Sequence, residues 1–432
     1  MVIIMLFENI HVLQEDGTVL DNAYLLTQGE RIAYIGQDRP DAQLSDGEET
    51  YNGADKLVIP SFINTHCHVP MTLLRGYGEG LPLHEWLFDR VFPIEDKLTG
   101  EQVYYASLLG IAEMLASGVT SFTDMYFFCG DIARAVLESG IKCNLCKGVT
   151  GIDGTAPQEN KHVLQGVQLC EEYNGAANGR IMTDLCIHAE YTSDPALVAY
   201  VADYAKKIDT RMHIHLSETK REHEECKERW GKTPAQYFDG LGVFDVKTTA
   251  AHCVFLEGED FDLLAQKGVT VAHCPSSNLK LGSGVADIAR MQTAGINITI
   301  GTDGASSNNN LNMLEELHVA SLLQKGVSND PLAMPPQSVL DMATKNAALS
   351  QDRPDTGALK EGNRADLAVI DLHRPHLLPR HDLLSNLVYS AQASDVVLTM
   401  CDGKVLYRDG EYTTIDIERV YAGVEKSVGE LF

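Results

Sequence analysis

Two histidines two residues apart, His66 and His68, stand in "PSFINTHCHVPMT" just after a short apolar run. In a strand, side chains alternate faces, so both imidazoles would share one face and Cys67 would take the other. Such a pair is a polar accident or half of a metal site. The rest of the chain bears on the choice, because His188, His213, His215, Glu218, His252, His273 and Asp303 fall within or just past further β-rich runs. Core packing accounts poorly for so many polar residues in equivalent places. Divalent zinc or iron suits imidazole nitrogen and carboxylate oxygen, with one position left open for water. His66, His68, one histidine of the pair His213/His215, and Asp303 would supply three nitrogens and one oxygen. A metal so held lowers the pKa of its water towards ~7. Glu218, just past His215, can reach the same mouth and carry a proton from water to a ring nitrogen. His252 could orient or deprotonate that water.

The other histidines read differently. His213 faces the same way as His215 but one layer deeper, which favours a structural place. His273 is equally well read as a hydrogen-bonded strand residue. His84, His162, His223 and the histidines after residue 317 have no partners by pattern and read as surface or packing residues. Cys143 and Cys146 form a C-x-x-C without a second cysteine pair at zinc-ribbon spacing, so they read as core thiols.

The elements that must position these residues alternate between strand and helix. Short β-rich runs end near "INTHCH", "TSFTDMYF", "KCNLCKGVT", "MTDLCIHAEYT", "RMHIHLSET", "TTAAHCVFL", "VTVAHCPSSN" and "INITIGTDG". Helical patterns such as "GEQVYYASLLGIAEMLASG" lie between them, several closing on glycine. Eight such units over roughly 300 residues predict an α/β fold, a (β/α)₈ TIM-type barrel with its chemistry at the C-terminal strand ends. An open doubly wound sheet is the alternative, weakened because no Gly-rich nucleotide fingerprint follows the first strand. Both termini are β-rich, which predicts a small composite β-sandwich domain. The expected divisions are 1–58 and 357–432 for that domain, with a closing helix at its end, and 59–356 for the barrel.

Composition bounds the partners. The 432 residues carry 34 Lys and Arg against 61 Asp and Glu, a formal charge of −27. Such a surface repels phosphate, so neither nucleic acid nor an anionic membrane is expected as a partner. No apolar run reaches transmembrane length, and "MVIIMLFENIHVLQEDG" lacks a basic leader region. Ten cysteines scattered in apolar stretches, with no secretory signal, fit reduced thiols in a cytoplasmic protein. Association into a homo-oligomer is left open.

The segments "IPSFINTHCHVPMTLLRG", "HIHLSET", "AHCVFL", "AHCPSSNLKLGSG" and "ITIGTDGASSNNNLNMLEEL" resemble the amidohydrolase superfamily. More narrowly they resemble its mononuclear-metal aminohydrolases, the methylthioadenosine/S-adenosylhomocysteine deaminases and their chlorohydrolase relatives. The resemblance runs from the first β-meander through "GALKEGNRADLAVIDL". It implies one divalent metal per subunit, zinc foremost and iron permitted, held by His66, His68, His215 and Asp303. It implies Glu218 as proton shuttle, His252 as a water-activating histidine, and Asp303 as a second proton-transfer group. It implies a nucleoside site in which Trp86 packs on the substrate, Glu95 accepts from the ribose hydroxyls, and His188 touches the substrate. The implied reaction is hydrolytic deamination of an adenine nucleoside: methylthioadenosine, S-adenosylhomocysteine, adenosine or a deoxyadenosine. Another amino-heterocycle such as guanine, a pterin or a triazine is the alternative, and a non-catalytic binding barrel the remote one. Two departures stand out. "HAEYTS" has Glu190 where the family commonly has proline, which would place a charge near the substrate mouth. "IDGTAPQENKHVLQG" offers only Lys161 for the tail of S-adenosylhomocysteine.

Overall fold

The structure, a computed structural model, describes residues 4–41 and 48–432. The chain opens with β1 (Ile4–Leu13), β2 (Val19–Gln28), β3 (Arg31–Gly36), β4 (Glu49–Asn52) and β5 (Lys56–Pro60). Eight strands follow: β6 (Phe62–Cys67), β7 (Val119–Tyr126), β8 (Lys142–Lys147), β9 (Ile181–Ile187), β10 (Met212–Leu216), β11 (Thr248–His252), β12 (Thr270–His273) and β13 (Asn297–Ile300). They pair in parallel, each with its neighbours in sequence, as the barrel. Every residue of β6, β7, β8, β10, β11 and β12 is buried. Parallel strands covered on both faces need no polar alternation, which is why these segments do not alternate apolar and polar residues.

The strands β14 (Leu367–Asp371), β15 (Val396–Cys401), β16 (Lys404–Arg408) and β17 (Glu411–Tyr412) return to the first sheet. Its nine strands run β17-β16-β15-β14-β5-β1-β2-β3, with β4 on β1. The two ends of the chain meet where β5 pairs antiparallel with β14 and parallel with β1. The β-domain expected from both termini is therefore a single hydrogen-bonded sheet, and the helix Ile417–Leu431 closes the chain.

Helices α1 (Gly100–Ala116), α2 (Cys129–Ser139), α3 (Lys161–Tyr173), α4 (Pro195–Ile208) and α5 (Lys220–Trp230) follow the first five barrel strands. Local chemistry sets their ends. Thr99 and Gln102 form a reciprocal capping box on α1, Asp194 caps α4, and left-handed Gly140 ends α2. The barrel closes between β13 and β6 largely through side chains. Asn64 donates to Thr302 Oγ1 at 2.7 Å and accepts the Thr302 N–H at 3.0 Å, while the Thr65 hydroxyl donates to the Ile300 carbonyl. A Cβ at Gly301 would stand 2.8 Å from the His66 backbone, so this seam requires glycine.

All ten cysteines are free and buried, as a set of core thiols would be. No helix among the described residues is long and apolar enough to cross a membrane.

Candidate active site

The C-terminal ends of the barrel strands bring His66, His68, His215 and His252 into one cluster. Ligand atoms of His66, His68 and Asp303 lie within 4.8 Å of one another, as do those of His66, His215 and His252. Each ring is tied back by its Nδ1. His68 Nδ1 donates to the Met125 carbonyl at 2.5 Å and His215 Nδ1 to the His188 carbonyl at 2.8 Å. His252 Nδ1 meets Asn278 Oδ1 at 2.9 Å, and His66 Nδ1 meets His213 Nε2 at 2.9 Å. A carbonyl oxygen only accepts, so His68 and His215 carry their proton on Nδ1 when neutral. Their Nε2 lone pairs then face the common centre. Burial pushes the pKa of His66 and of His215 well below the usual imidazole value, which keeps both rings neutral.

Asp303 faces the same centre from a left-handed backbone, φ 60°. Its Oδ1 lies 3.5 Å from His66 Nε2 and 3.2 Å from His68 Nε2. Its Oδ2 accepts from the Ser277 hydroxyl at 2.6 Å and the Ser307 hydroxyl at 2.8 Å. Burial opposes the carboxylate, yet the neighbouring His66 and His68 hold its pKa well below the ordinary range. Burial likewise opposes charge on His68, and Asp303 overrides it, raising the ring to about 9. The cluster thus favours a positive charge beside Asp303. His66 Nε2 is buried with no hydrogen bond of its own. Imidazole rings tied back through Nδ1, an ionised carboxylate and an orphaned inward nitrogen fit a divalent cation, which would take the place of the positive charge that Asp303 favours on His68.

Glu218 leaves the end of β10 and brings Oε2 to 3.8 Å from His252 Nε2. Burial raises its pKa above the usual carboxylate value, as a group that takes up and returns a proton requires. Above this floor opens a cavity of about 1110 Å³, lined by His188, Glu218, Trp86 and Glu95 among others. Trp86 and Glu95 come from one segment of three short helical turns, Leu83–Trp86, Leu87–Val91 and Phe92–Glu95. His188 holds Thr192 Oγ1 through Nδ1 at 3.2 Å. Burial lowers its pKa to about 4, so it meets a ligand as a neutral ring. Every residue singled out in the sequence for metal, proton transfer or substrate therefore reaches this one cavity or its floor.

Other residues fall differently. His213 backs His66 and stays out of the cavity lining. His273, for which a hydrogen-bonded strand residue is one of two equal readings of the sequence, has no hydrogen-bond partner on either ring nitrogen among the described residues. His162 lines the far arm of the cavity and is not a plain surface residue. The Glu190 charge does not face the substrate mouth. Its side chain is fully buried and paired with Arg229 of α5, which ties the turn after β9 to that helix. Lys147, the last residue of β8, also lines the far arm, with Nζ 4.1 Å from the Phe127 ring centre. Burial lowers its pKa to about 8. Sequence reading passed over Lys147, although its place at the end of a barrel strand was the available signal. It also passed over Ser277, Asn278 and Ser307, polar residues within the quoted motifs whose roles emerge only from what they touch.

The sequence profile of the amidohydrolase family matches residues 57–406. The chain is 42% identical over 427 residues to a 5-methylthioadenosine/S-adenosylhomocysteine deaminase of Dictyoglomus turgidum, covering 99% of each. Among solved structures it resembles an adenosine deaminase from Xanthomonas campestris with bound zinc, at a TM-score of 0.91 and 29% identity, covering 99% of this chain and 98% of that one. An atrazine chlorohydrolase from Arthrobacter aurescens shares the fold at a TM-score of 0.90 and 23% identity, covering 98% of this chain and 100% of that one.

Proposed function

Because the chain belongs to the amidohydrolase family, we propose that it is a metal-dependent hydrolytic deaminase of an adenine nucleoside. The observation that carries the chemistry is the convergence of tied-back imidazoles and Asp303 beneath a cavity that also holds Glu218 and His252. The full-length likeness to a deaminase of methylthioadenosine and S-adenosylhomocysteine supports the substrate class.

His66, His68, His215 and Asp303 would hold one divalent cation, with zinc favoured by its presence in the adenosine deaminase relative. Bound there, the ion supplies Lewis acidity and lowers the pKa of a water towards ~7. His252, oriented by Asn278, directs its Nε2 at that water. Asp303 takes up a proton from the attacking water, and the two serine hydroxyls on Oδ2 leave Oδ1 as the oxygen facing the histidines. Glu218 protonates the purine ring nitrogen next to C6. Water adds its oxygen to C6, the proton taken up by Asp303 passes to the exocyclic amine, the C6–N bond breaks and ammonia leaves, and the remaining hydroxyl proton returns to Glu218 as the C6 carbonyl of the inosine-type product forms. Trp86 packs on the substrate, His188 contacts it as a neutral ring, and Glu95 accepts from the ribose hydroxyls. Two adjacent hydroxyl donors match the two oxygens of one carboxylate. The far arm of the cavity gives a 5′ substituent room, and Lys147 joins Lys161 as a cation for an acidic tail.

The test is ammonia release by the metal-loaded protein with methylthioadenosine, S-adenosylhomocysteine, adenosine, 5′-deoxyadenosine, guanine and cytosine. Turnover confined to the adenosines is expected. Silence on all of them with metal bound would sink the substrate assignment.

A further inference from the structure

The turn that presents Glu218 is held by a second carboxylate that the reaction does not use. β10 ends at Leu216, and Ser217 takes a left-handed φ of 47° before Glu218 enters the cavity. A non-glycine residue in that region persists only where its surroundings hold it. Glu222 does so with both oxygens. Oε1 accepts the Ser217 N–H at 2.9 Å, and Oε2 accepts the Glu218 N–H at 2.7 Å. Glu222 is 4% exposed, and the turn it binds is buried with it.

Glu222 is the third residue of α5, and the Thr219 hydroxyl at the helix N-cap accepts its N–H at 3.1 Å. In an ordinary capping box a glutamate at this position reaches back to the N-cap N–H. Here the carboxylate passes Thr219 and takes the two N–H groups before it. Those two groups belong to the peptide planes on either side of the Ser217 Cα. Holding both sets the direction in which the Glu218 side chain departs. Ser217 is held further: its carbonyl accepts the Phe255 N–H at 3.0 Å, and its hydroxyl meets His223 Nδ1 at 3.2 Å.

We propose that Glu222 is a positioning residue for proton transfer, clamping the turn so that Glu218 stands over the reacting atoms. The proposal rests on the reading of Glu218 as the proton carrier. Glutamine at 222 keeps one acceptor and turns an NH₂ towards the other N–H. A displacement of about 1 Å in a catalytic group costs up to about 10²-fold, so E222Q should lower kcat by about 10–100-fold. KM for adenosine and methylthioadenosine should change by less than about threefold, because Glu218 is one of several groups on the substrate, and the metal content should be that of the parent, because Glu218 is not a ligand.

The deciding measurement is a double-mutant cycle with E218Q on metal-loaded protein, using long incubations for the residual rates. If Glu222 acts through Glu218, E218Q/E222Q is no slower than E218Q. Losses that multiply would overturn the proposal, as would an E222Q loss that only tracks metal content or folded fraction. Should E222Q fail to fold, E222D, one methylene too short to reach both N–H groups, is read in the same way. Near-normal E222Q beside an inactive E218Q sinks this proposal alone. Near-normal E218Q sinks the assignment of Glu218 and this proposal with it.

Discussion

His68 and His215 each give one proton to a main-chain carbonyl, of Met125 and of His188. That arrangement sets tautomer and ring angle together, so the inward nitrogens converge without relying on the cation to order them. His66 differs, because its partner is another imidazole, His213. H213A should weaken metal retention by about 10–100-fold, measured by competition with a chelator. Parent-like retention would show that His213 is only core. E218Q should keep its metal while kcat falls by about 10²–10⁴-fold. Near-normal turnover would remove Glu218 from the proton path. E95A should cut kcat/KM for nucleosides by about 10–100-fold, the loss of a charged hydrogen-bonding group of roughly 1.5–3 kcal/mol, and leave any free-base turnover untouched. An equal loss on both would mean Glu95 does not read the ribose. The spacing of His66 and His68 made that pair legible in the sequence. The carbonyls behind His68 and His215 were not, since backbone groups carry no sequence signal.

Strands and helices place these residues, and two sets of ion pairs, one half-buried and one buried, show how the elements are held together. Arg229 of α5 pairs with Glu190 in the turn after β9, so one helix braces the ends of two neighbouring strands. Lys142 at the start of β8 pairs with Asp366 and, at 2.7 Å, with Asp402, joining the barrel to the terminal sheet. All three are nearly inaccessible. K142A would leave two carboxylates buried without their ammonium and should cost about 3–5 kcal/mol, read by denaturant unfolding. An effect under about 1 kcal/mol would show that Arg364 and Asp402 suffice without it. Burial opposes charge on Asp402, but Lys142 and then Arg364 lower its pKa below the usual value. Its contribution is therefore full above the unfolded value of ~3.9 and is lost as pH falls through the lower folded one. Burial also opposes charge on Lys142, and Asp366 ahead of Asp402 raises it, so that contribution is full below ~10.4 and fades only at higher pH. The stability gap between parent and D402N should accordingly hold from about pH 7 down to about pH 5 and shrink as the pH falls below about 4. A constant gap would separate Asp402 from acid unfolding. The strands themselves were legible as apolar runs, because buried parallel strands leave that trace. The junction was not, because Lys142, Asp366 and Asp402 are far apart in sequence and each looks like a surface charge.

Across the molecule, a cation held by His66, His68, His215 and Asp303 would link three separated parts of the chain. A ligand that binds only the folded state stabilises it, by about 4 kcal/mol at 1,000 times its Kd. Chelation should therefore lower both Tm and turnover, with both restored by adding zinc back. Loss of turnover without a change in Tm would mean that the cation does not bridge the strand ends.

Alternating strand and helix patterns, histidines at strand ends and the quoted motifs were sufficient to read the barrel, its family and the cluster at its mouth. All of these are local: a run of residues, a spacing of two, a motif. Decisions that depend on distant groups meeting came only from the tertiary structure. Glu190 looked like a charge at the mouth until Arg229, 39 residues on, was seen to bury it. Lys147 and Lys161 line the same cavity because one ends β8 and the other begins α3, at the same end of the barrel. Glu222 stands in the charged run "SETKREHEE", and only the packed chain puts its two oxygens on the turn before its own helix. A side chain's type and neighbours in sequence say what it can bond. Only the packed chain says which partner is within 3 Å, and that partner decides whether a charge is a surface feature, a strut or a part of the site.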